Sequence, residues 1–320
     1  MMKRKLIWKW IIFILIGIIL FSLIQSVFLE KNSYDKYRAW KNLDDVDILI
    51  LGNSHADCGF RADSMSTELC AEELSVFNYA IYGMRIEQMY YFTKEVLKIH
   101  VPDLIILETF AFCPLADEDR EVLARRAFDV FPLNRNKFEA INYCMPEADA
   151  SFYIPFIKYH SRWKELSPYD FHVLYDDSLW PTCGGNGSYT EEVCADPGDG
   201  WFQQEPPAIY ETRALTPSEK DSLDKLLKLA EENNIQLLFV SVPFKTQAGL
   251  DSIEQIKINN FLQANYVNDD HIKLLDMNRL WQELDFDYDD LMNEGHVNSQ
   301  GADKVTAYLI EYLKANYLFA

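Results

Sequence analysis

Cysteine, glycine, proline and basic side chains are all scarce in this sequence. Its 320 residues include 6 Cys, 12 Gly and 12 Pro, and 30 Lys and Arg stand against 50 Asp and Glu. Six cysteines without paired spacing argue against a disulfide scaffold or a zinc site. A net charge of −20 argues against a nucleic-acid surface, which needs clustered basic residues. The 49% hydrophobic content indicates a packed globular protein. We expect no cofactor and no nucleic-acid partner.

One long uncharged run stands near the amino terminus. The 20 residues from Trp10 to Leu29 carry no charge, which is the length that a helix needs to cross a bilayer. Four basic residues precede the run and an acidic chain follows it, so the positive-inside rule places the amino terminus in the cytoplasm. A cleaved signal peptide is the alternative, but no small-x-small cleavage site follows. We predict a cytoplasmic tip and transmembrane signal anchor at 1–30, and an extracytoplasmic domain at 31–320.

Two local features bear on disulfides and metals. Cys183 and Cys194 flank the glycine-rich segment Gly184–Gly187, where a bridge would close easily outside the cytoplasm. Two unrelated thiols are the alternative, and both interpretations stay open. The acidic run Asp285–Asp290 lacks the ligand and glycine spacing of a calcium loop. We therefore predict no metal site.

Short apolar runs alternate with helical patterns over much of the remaining chain, which is typical of an α/β fold with a parallel sheet. One helix has clear end signals, with Thr216 as N-cap, Pro217 next and Glu219 completing a capping box. Between about 113 and 215 the alternation breaks down, and we predict an aromatic-rich helical insertion on the core. The predicted strands are 46–51, 74–79, 104–108, 236–242 and 272–277, and the predicted helices are 85–98, 217–233, 253–264 and 300–317.

A serine directly follows the first predicted strand, in the segment Gly52-Asn53-Ser54-His55. Ligands of open parallel sheets bind beyond the carboxyl ends of the strands, so a serine here can present its hydroxyl at the mouth of the sheet. Backbone N–H groups of a following helix could stabilise an oxyanion. A purely structural role in a turn or helix cap is the alternative, and it would be favoured if no other part of the sequence pointed to catalysis by Ser54.

A histidine at the other end of the chain changes that balance. His296 stands in a loop after the last predicted strand and just before the last predicted helix. From there a general base could reach the hydroxyl of Ser54 across the top of the sheet. Nucleophilic catalysis by serine requires this arrangement of hydroxyl and imidazole.

These blocks resemble the SGNH/GDSL hydrolase superfamily. Gly52-Asn53-Ser54 stands in place of the family's Gly-Asp-Ser, and Gly83 in place of its glycine after the second strand. The segment His296–Ala302 matches the family's last block, Asp-x-x-His with a Leu-Asn-x-x-Gly-Ala tail, and is the most specific part of the match. The resemblance covers most of residues 45–315. It implies a three-layer, flavodoxin-like parallel sheet, with Ser54 as nucleophile and His296 as base.

Two departures from the family pattern concern the site. The third strand ends Leu107-Glu108-Thr109-Phe110, without the family's oxyanion-hole asparagine. The resemblance then leaves His55, Gly83 and Asn78 as oxyanion or binding residues. The family's triad aspartate is Asn293 here. Either Asn293 orients His296 in a weakened dyad, Asp289 or Asp290 substitutes, or the site has lost its chemistry.

The resemblance implies an acyl-ester hydrolase or O-acyltransferase of the cell envelope. The segment Tyr159–Trp163 is similar to one in membrane-anchored members from Gram-positive bacteria, which include teichoic-acid D-alanylation and alginate-acetylation types. Such members work on surface polysaccharides beside a membrane-bound O-acyltransferase, the partner expected here. Arg162 and Trp163 could line a glycan groove, with a packed aromatic cap as the commoner alternative. A catalytically silent relative that binds glycan or the acyltransferase is the second hypothesis.

Overall fold

Five parallel strands form the central sheet of the part of the chain that the computed structural model describes. That part comprises residues 2–69, 74–112, 120–174, 209–245, 250–268, 271–293 and 295–317. The order in the sheet is β2-β1-β3-β4-β5, which is the flavodoxin-like order. The predicted α/β fold with a parallel sheet is confirmed. The strands are β1 (Ile48–Leu51), β2 (Val76–Asn78), β3 (Leu104–Glu108), β4 (Gln236–Ser241) and β5 (Ile272–Asp276).

Helices cover both faces of this sheet and extend the chain at its amino terminus. Several have the end signals that local sequence provides, and the helix at 217–232 has the capping box of Thr216 and Glu219 that the sequence predicts. The helices are α1 (Met2–Phe28), α2 (Lys31–Asn42), α3 (Ser54–Gly59), α4 (Ala62–Glu68), α5 (Ile86–Val96), α6 (Arg120–Phe128), α7 (Arg135–Cys144), α8 (Ala150–Tyr153), α9 (Phe156–Tyr159), α10 (Pro168–Phe171), α11 (Pro217–Glu232), α12 (Leu250–Asn265) and α13 (Ser299–Asn316).

The two faces of the sheet bury separate apolar clusters, because successive side chains of a strand point in opposite directions. Leu49 and Leu51 of β1 pack into the cluster that contains α5, α6, α7 and α11. Ile48 and Ile50 pack into the cluster that contains α3, α4 and α13. All four of these β1 side chains are fully buried. The result is a three-layer arrangement with the sheet between two layers of helices.

The predicted insertion shares this core in its described part. Between residues 120 and 174 the chain is helical, and Phe128, Ala140 and Ile141 join the same buried cluster as Leu49. The proposed bridge between Cys183 and Cys194 lies outside the described residues. Two cysteines elsewhere, Cys58 and Cys144, are buried and are not joined in a disulfide.

The amino-terminal helix α1 exposes most of its apolar side chains. Its segment Leu6–Phe28 has a mean hydropathy of 2.8, and only 11% of that stretch is buried. A core helix of comparable hydropathy would be covered by protein. The length and composition of α1 are compatible with the predicted single membrane span.

Candidate active site

The turn between β1 and α3 sets the position of Ser54. Ser54 is the first residue of α3, and the side chain of Asn53 caps this helix by accepting a 3.0 Å hydrogen bond from the His55 N–H. Gly52 permits the close approach of neighbouring segments. A Cβ atom at Gly52 would lie 2.5 Å from the Cβ of Ala56 and 2.8 Å from that of Glu108. The serine is therefore presented at the carboxyl edge of the sheet by a turn that needs this glycine.

A short hairpin before α13 sets the position of His296. The N–H of Met292 donates to the carbonyl oxygen of His296 at 2.8 Å, beside an antiparallel bridge between Leu291 and Val297. Asn298 then caps α13 by accepting from the N–H groups of its first turn. Gly301 packs on the Asp290 carbonyl, where an added Cβ would lie 2.2 Å from the oxygen. The Asn-x-x-Gly part of the sequence match thus has a structural role, since it anchors the loop that carries the histidine.

The structure brings Ser54, His296 and Asn293 together. The Nε2 atom of His296 lies 2.7 Å from Ser54 Oγ, and its Nδ1 lies 2.9 Å from Asn293 Oδ1. A hydroxyl that contacts an imidazole, which in turn contacts an orienting group, is the arrangement found in serine hydrolases. The catalytic roles assigned to these residues from sequence stay predictions, but the contacts that those roles require are present.

The hydrogen bonds of Asn293 fix which end of its amide faces the imidazole. Its Oδ1 accepts from the backbone N–H groups of Gly295 and His296, both at 3.0 Å. Because a backbone N–H can only donate, this atom must be the amide oxygen. The same oxygen faces His296 Nδ1, so Nδ1 carries the proton and Nε2 is free to accept from Ser54. Asn293 therefore selects the tautomer that an aspartate would select, and it lacks only the negative charge.

Asp290, one of the two aspartates proposed as substitutes for the missing charge, has its carboxylate engaged elsewhere, and the backbone of Asp289 is fixed by hydrogen bonds. The Asp290 carboxylate is buried, pairs with Lys304 at 2.8 Å and accepts from the Asp287 N–H. The Asp289 N–H donates to Asp287, and its carbonyl oxygen accepts from the Asn298 amide. These contacts favour the weakened dyad over substitution by Asp290.

His55 lies against His296 as a buried, uncharged ring. It stacks on Phe110 at a centroid distance of 3.8 Å and on His296 at 4.6 Å. Burial, and secondarily the neighbouring His296, lower the pKa of His55 well below its usual range. His55 can therefore support the plane of the His296 ring without competing for the proton of Ser54.

Two of the residues expected to bind an oxyanion, Asn78 and His55, have polar groups in other hydrogen bonds. Asn78 is fully buried, its amide donates to the carbonyl oxygens of Ala56 and Phe60, and its Oδ1 accepts from the Ala80 N–H. The His55 N–H is taken up by Asn53. Neither group is free to bind an oxyanion, so the oxyanion role expected of Asn78 and His55 does not fit this geometry.

Gly83 is the third residue expected to bind an oxyanion. Its φ of +71° lies in the left-handed region, and a Cβ there would lie 2.3 Å from Leu123 Cδ2. The loop that contains it follows β2 and is held beside the turn between β1 and α3, because the Ile81 N–H donates to the Gly52 carbonyl at 3.1 Å. The N–H groups of Gly83 and of Ser54 itself stay the candidate donors.

A buried ion pair that sequence analysis did not single out holds α3, the helix that begins at Ser54. Lys36 of α2 forms an ion pair with Asp57 of α3, and its ammonium also donates to the Ala80 carbonyl at 2.8 Å. Both side chains are almost completely buried. Burial raises the pKa of Asp57, and the charge of Lys36 opposes that rise. The pair ties α2, α3 and the loop before Gly83 together, which is a positioning role.

Glu108, at the end of β3, is a buried acid beside the same turn. One carboxyl oxygen accepts from the Phe110 N–H at 2.9 Å, and the other has no hydrogen-bond partner among the described residues. Burial raises the pKa of Glu108 from 4.5 to about 8. At neutral pH the carboxyl is therefore protonated in the folded protein.

Substituting Glu108 by glutamine should stabilise the protein at alkaline pH. Between pH 4.5 and about pH 8 the folded state binds a proton that the unfolded state lacks, so stability falls as pH rises, by at most about 1.4 kcal/mol per pH unit. Thermal unfolding of the full chain in detergent at pH 5 and pH 8.5 checks this. Glu108→Gln should reduce the difference between the two pH values, and the exposed control Glu283→Gln should not. An unchanged pH dependence in Glu108→Gln would contradict the buried-acid assignment.

The remaining sequence-predicted features lie away from Ser54. Arg162 contacts the end of α1, and Trp163 is exposed. In the part of the chain that the structure describes, neither side chain contacts Ser54, His296 or Asn293. In the described ranges, no group of three His, Cys, Asp or Glu residues is placed to hold a metal ion.

The comparisons with known proteins show remote likenesses in fold. No family model matches the chain, and no curated protein matches its sequence. Among solved structures, TesA is similar over 85% of this chain and 99% of its own, with 9% identity and a TM-score of 0.41. The esterase EstA from Pseudoalteromonas sp. is similar over 85% of this chain and 98% of its own, with 11% identity and a TM-score of 0.40. A carbohydrate esterase of family 3 from Talaromyces cellulolyticus is similar over 84% of this chain and 99% of its own, with 11% identity and a TM-score of 0.38. The assignment of chemistry therefore depends on the geometry of the site itself.

Proposed function

We propose that this protein is a membrane-anchored serine acyl-ester hydrolase or O-acyltransferase, with Ser54 as nucleophile and His296 as general base. The observation that supports this most directly is the contact of 2.7 Å between Ser54 Oγ and His296 Nε2, with Nδ1 held by an amide oxygen. That arrangement leaves the Nε2 lone pair directed at the serine proton. A serine that only caps a helix would not need a histidine so oriented.

The proposed reaction has two steps. His296 Nε2 takes the proton of Ser54 as Oγ attacks the ester carbonyl, and backbone N–H groups stabilise the oxyanion. The C–O bond to the leaving alcohol breaks, and His296 returns the proton to that alcohol, which leaves an acyl ester on Ser54. His296 then deprotonates water or a sugar hydroxyl, which attacks the acyl group. The bond from the acyl carbon to Ser54 Oγ breaks, and His296 returns the proton to Oγ. Water gives hydrolysis, and a sugar hydroxyl gives O-acyl transfer.

The substrate that we propose is an acylated cell-surface glycan, on the outer side of the membrane. Support comes from the basic residues before α1 and from the resemblance to membrane-anchored polysaccharide-modifying proteins. The path from the membrane to the site is also short. Helix α2 begins three residues after α1 ends, and its Lys36 contacts the nucleophile helix through Asp57. A membrane-bound O-acyltransferase is the proposed partner if the reaction is a transfer.

Covalent labelling tests the nucleophile without knowledge of the substrate. A fluorophosphonate probe should label the full-length protein in membranes, and peptide mass spectrometry should locate the label on Ser54. Ser54→Ala should not be labelled, whereas the exposed control Ser218→Ala should be labelled like the wild type. Heat-denatured protein should lose the label. Labelling that persists in Ser54→Ala, or absence of labelling in the native wild type, would contradict the proposed nucleophile.

A catalytically silent, glycan-binding protein is the second candidate function. The observation that favours it is that Asn293 carries no charge to stabilise the imidazolium that forms during the reaction. In that case the wild type would not be labelled but would bind an acylated surface glycan. Failure of labelling together with saturable glycan binding would favour this second function.

A further inference from the structure

The carboxyl end of α1 is joined to the folded domain by two basic side chains. Arg162 donates to the carbonyl oxygens of Phe28 and Leu29, at 2.5 Å and 3.0 Å. Lys31 donates to three carbonyl oxygens at the same helix end, and cations are favourable there because the helix dipole is negative. The three acceptors of the Lys31 ammonium are the carbonyl oxygens of Ser26, Val27 and Leu29, at 2.8 to 3.0 Å.

A second set of polar contacts fixes this junction to α10. The Asp170 carboxylate lies 3.1 Å from the Arg162 guanidinium and 3.8 Å from the Lys31 ammonium. The Tyr169 hydroxyl donates to Asp35 at 2.9 Å, and the His172 ring also contacts Asp35, at 3.2 Å. Lys31, Asp35 and Asp170 are all buried. Helix α1 therefore leaves the domain through a defined joint, and not through a free linker.

Helix α9 packs along the side of α1. The Phe156 ring makes edge-to-face contacts with Phe28 and Phe21, at centroid distances of 5.2 Å and 5.7 Å. Phe21 lies seven residues before the end of α1, which is about 10 Å along the helix axis at 1.5 Å per residue. Any bilayer that surrounds the apolar part of α1 up to Phe28 must therefore also reach α9.

The segment 154–174, which we call the collar, carries the exposed apolar side chains that this position would require. Helices α9 and α10 and the 3-10 helices 160–164 and 172–174, all within the collar, contact α1. Trp163 is 64% exposed, and the Lys164 ammonium lies 5.5 Å from the centre of its ring. The collar has three Lys and Arg against two Asp and Glu, although the whole chain carries −20. Its exposed large apolar residues are Ile154, Ile157, Trp163, Phe171 and Leu174.

We propose that the collar lies in the membrane–water interface on the extracytoplasmic side of the membrane that α1 spans, with its exposed apolar side chains in lipid. Tryptophan beside lysine is favoured at this interface because the ring is apolar and the cation can reach the headgroups. Lipid is the occupant that the contacts favour, since α1 enters the bilayer directly beside the collar. The inference rests on the membrane anchoring in the proposed function, but not on its acyl chemistry. It would hold the domain in one orientation on the membrane, with α2 leading from the collar to the nucleophile helix.

Fluorine NMR of the full-length protein in lipid nanodiscs tests the contact. The protein is labelled with 5-fluorotryptophan, and the signals of Trp163 and of the buried Trp281 are assigned from Trp163→Phe and Trp281→Phe. The nanodiscs contain phosphatidylcholine and phosphatidylglycerol, with or without a lipid that bears a nitroxide on acyl carbon 5. The Trp163 signal should lose most of its intensity with the lipid nitroxide and little with a water-soluble gadolinium chelate. The Trp281 signal should keep its intensity in both.

Two results would overturn the proposal. Loss of the Trp163 signal with gadolinium but not with the lipid nitroxide would place the collar in water. Protection from both agents would place it under protein. The signals of Trp8 and Trp10 in α1 separate this failure from failure of the anchoring, because a spanning α1 brings them into contact with lipid. If these two signals also escape the lipid nitroxide, the anchoring itself is wrong.

Discussion

Ser54→Ala is expected to lower acyl-ester turnover strongly while the fold stays intact. Ser54 is only half-buried, and its hydroxyl contacts His296. When a methyl group replaces the hydroxyl, water can still reach the half-buried His296 ring, so the fold loses little stability. Loss of the serine from a complete catalytic triad lowers kcat by about 10⁶-fold. In a different serine hydrolase, exchange of the triad aspartate for asparagine lowers kcat by about 10⁴-fold. Because this site already has the asparagine, the loss from Ser54→Ala should be smaller, on the order of 10²-fold.

Release of acetate from p-nitrophenyl acetate by the full-length protein in detergent measures this loss. Ser218→Ala is the matched control, since it removes an exposed serine hydroxyl from a helix away from the site. Thermal unfolding of each variant should stay within a few degrees of the wild type, which separates lost chemistry from lost structure. Equal turnover in Ser54→Ala and the wild type would remove Ser54 as the nucleophile.

The sheet and the position of the candidate site residues could be predicted because their signals are local. A short apolar run that ends in Gly52 predicts β1, and the capping box at Thr216 predicts the start of α11. The segment from His296 to Gly301 predicts the loop and the helix start that the structure shows. Each of these signals lies within a few residues of the element that it specifies.

The contacts that position α3 and α1 could not be predicted, because they join residues far apart in the chain. Lys36 and Asp57 are charged residues that the sequence would assign to the surface, and burial becomes evident only when α2 packs on α3. Arg162 contacts the end of α1 across more than 130 residues. Asn78 matched an expected binding position, but the fold uses all its polar atoms internally.

The orientation of Asn293 also required the structure. From sequence, an asparagine in place of the triad aspartate suggests the wrong imidazole tautomer. The hydrogen bonds from two backbone N–H groups instead direct the amide oxygen at His296 Nδ1. The site is therefore correctly oriented and lacks one charge, which is a smaller defect than a misplaced proton.

Asn293→Asp is expected to raise acyl-ester turnover. A carboxylate oxygen can accept the same hydrogen bonds as the amide oxygen, and its charge stabilises the imidazolium that forms as Ser54 is deprotonated. Asn293 is exposed, so solvent screens the added charge. We expect a gain of about 10- to 10³-fold in kcat, below the 10⁴-fold effect of a fully buried aspartate.

The pH dependence of the same variant separates this cause from others. A neighbouring carboxylate makes His296 bind its proton more tightly, so the acidic limb of the pH–rate profile should move to higher pH in Asn293→Asp. Ser54→Ala in the Asn293→Asp background should lose more than it loses in the wild-type background, because both residues act through His296. Asn293→Ala is the opposing control and should lower turnover, since it leaves His296 Nδ1 without its oriented acceptor. If Asn293→Asp neither raises turnover nor moves the acidic limb, the added charge is not what this site lacks.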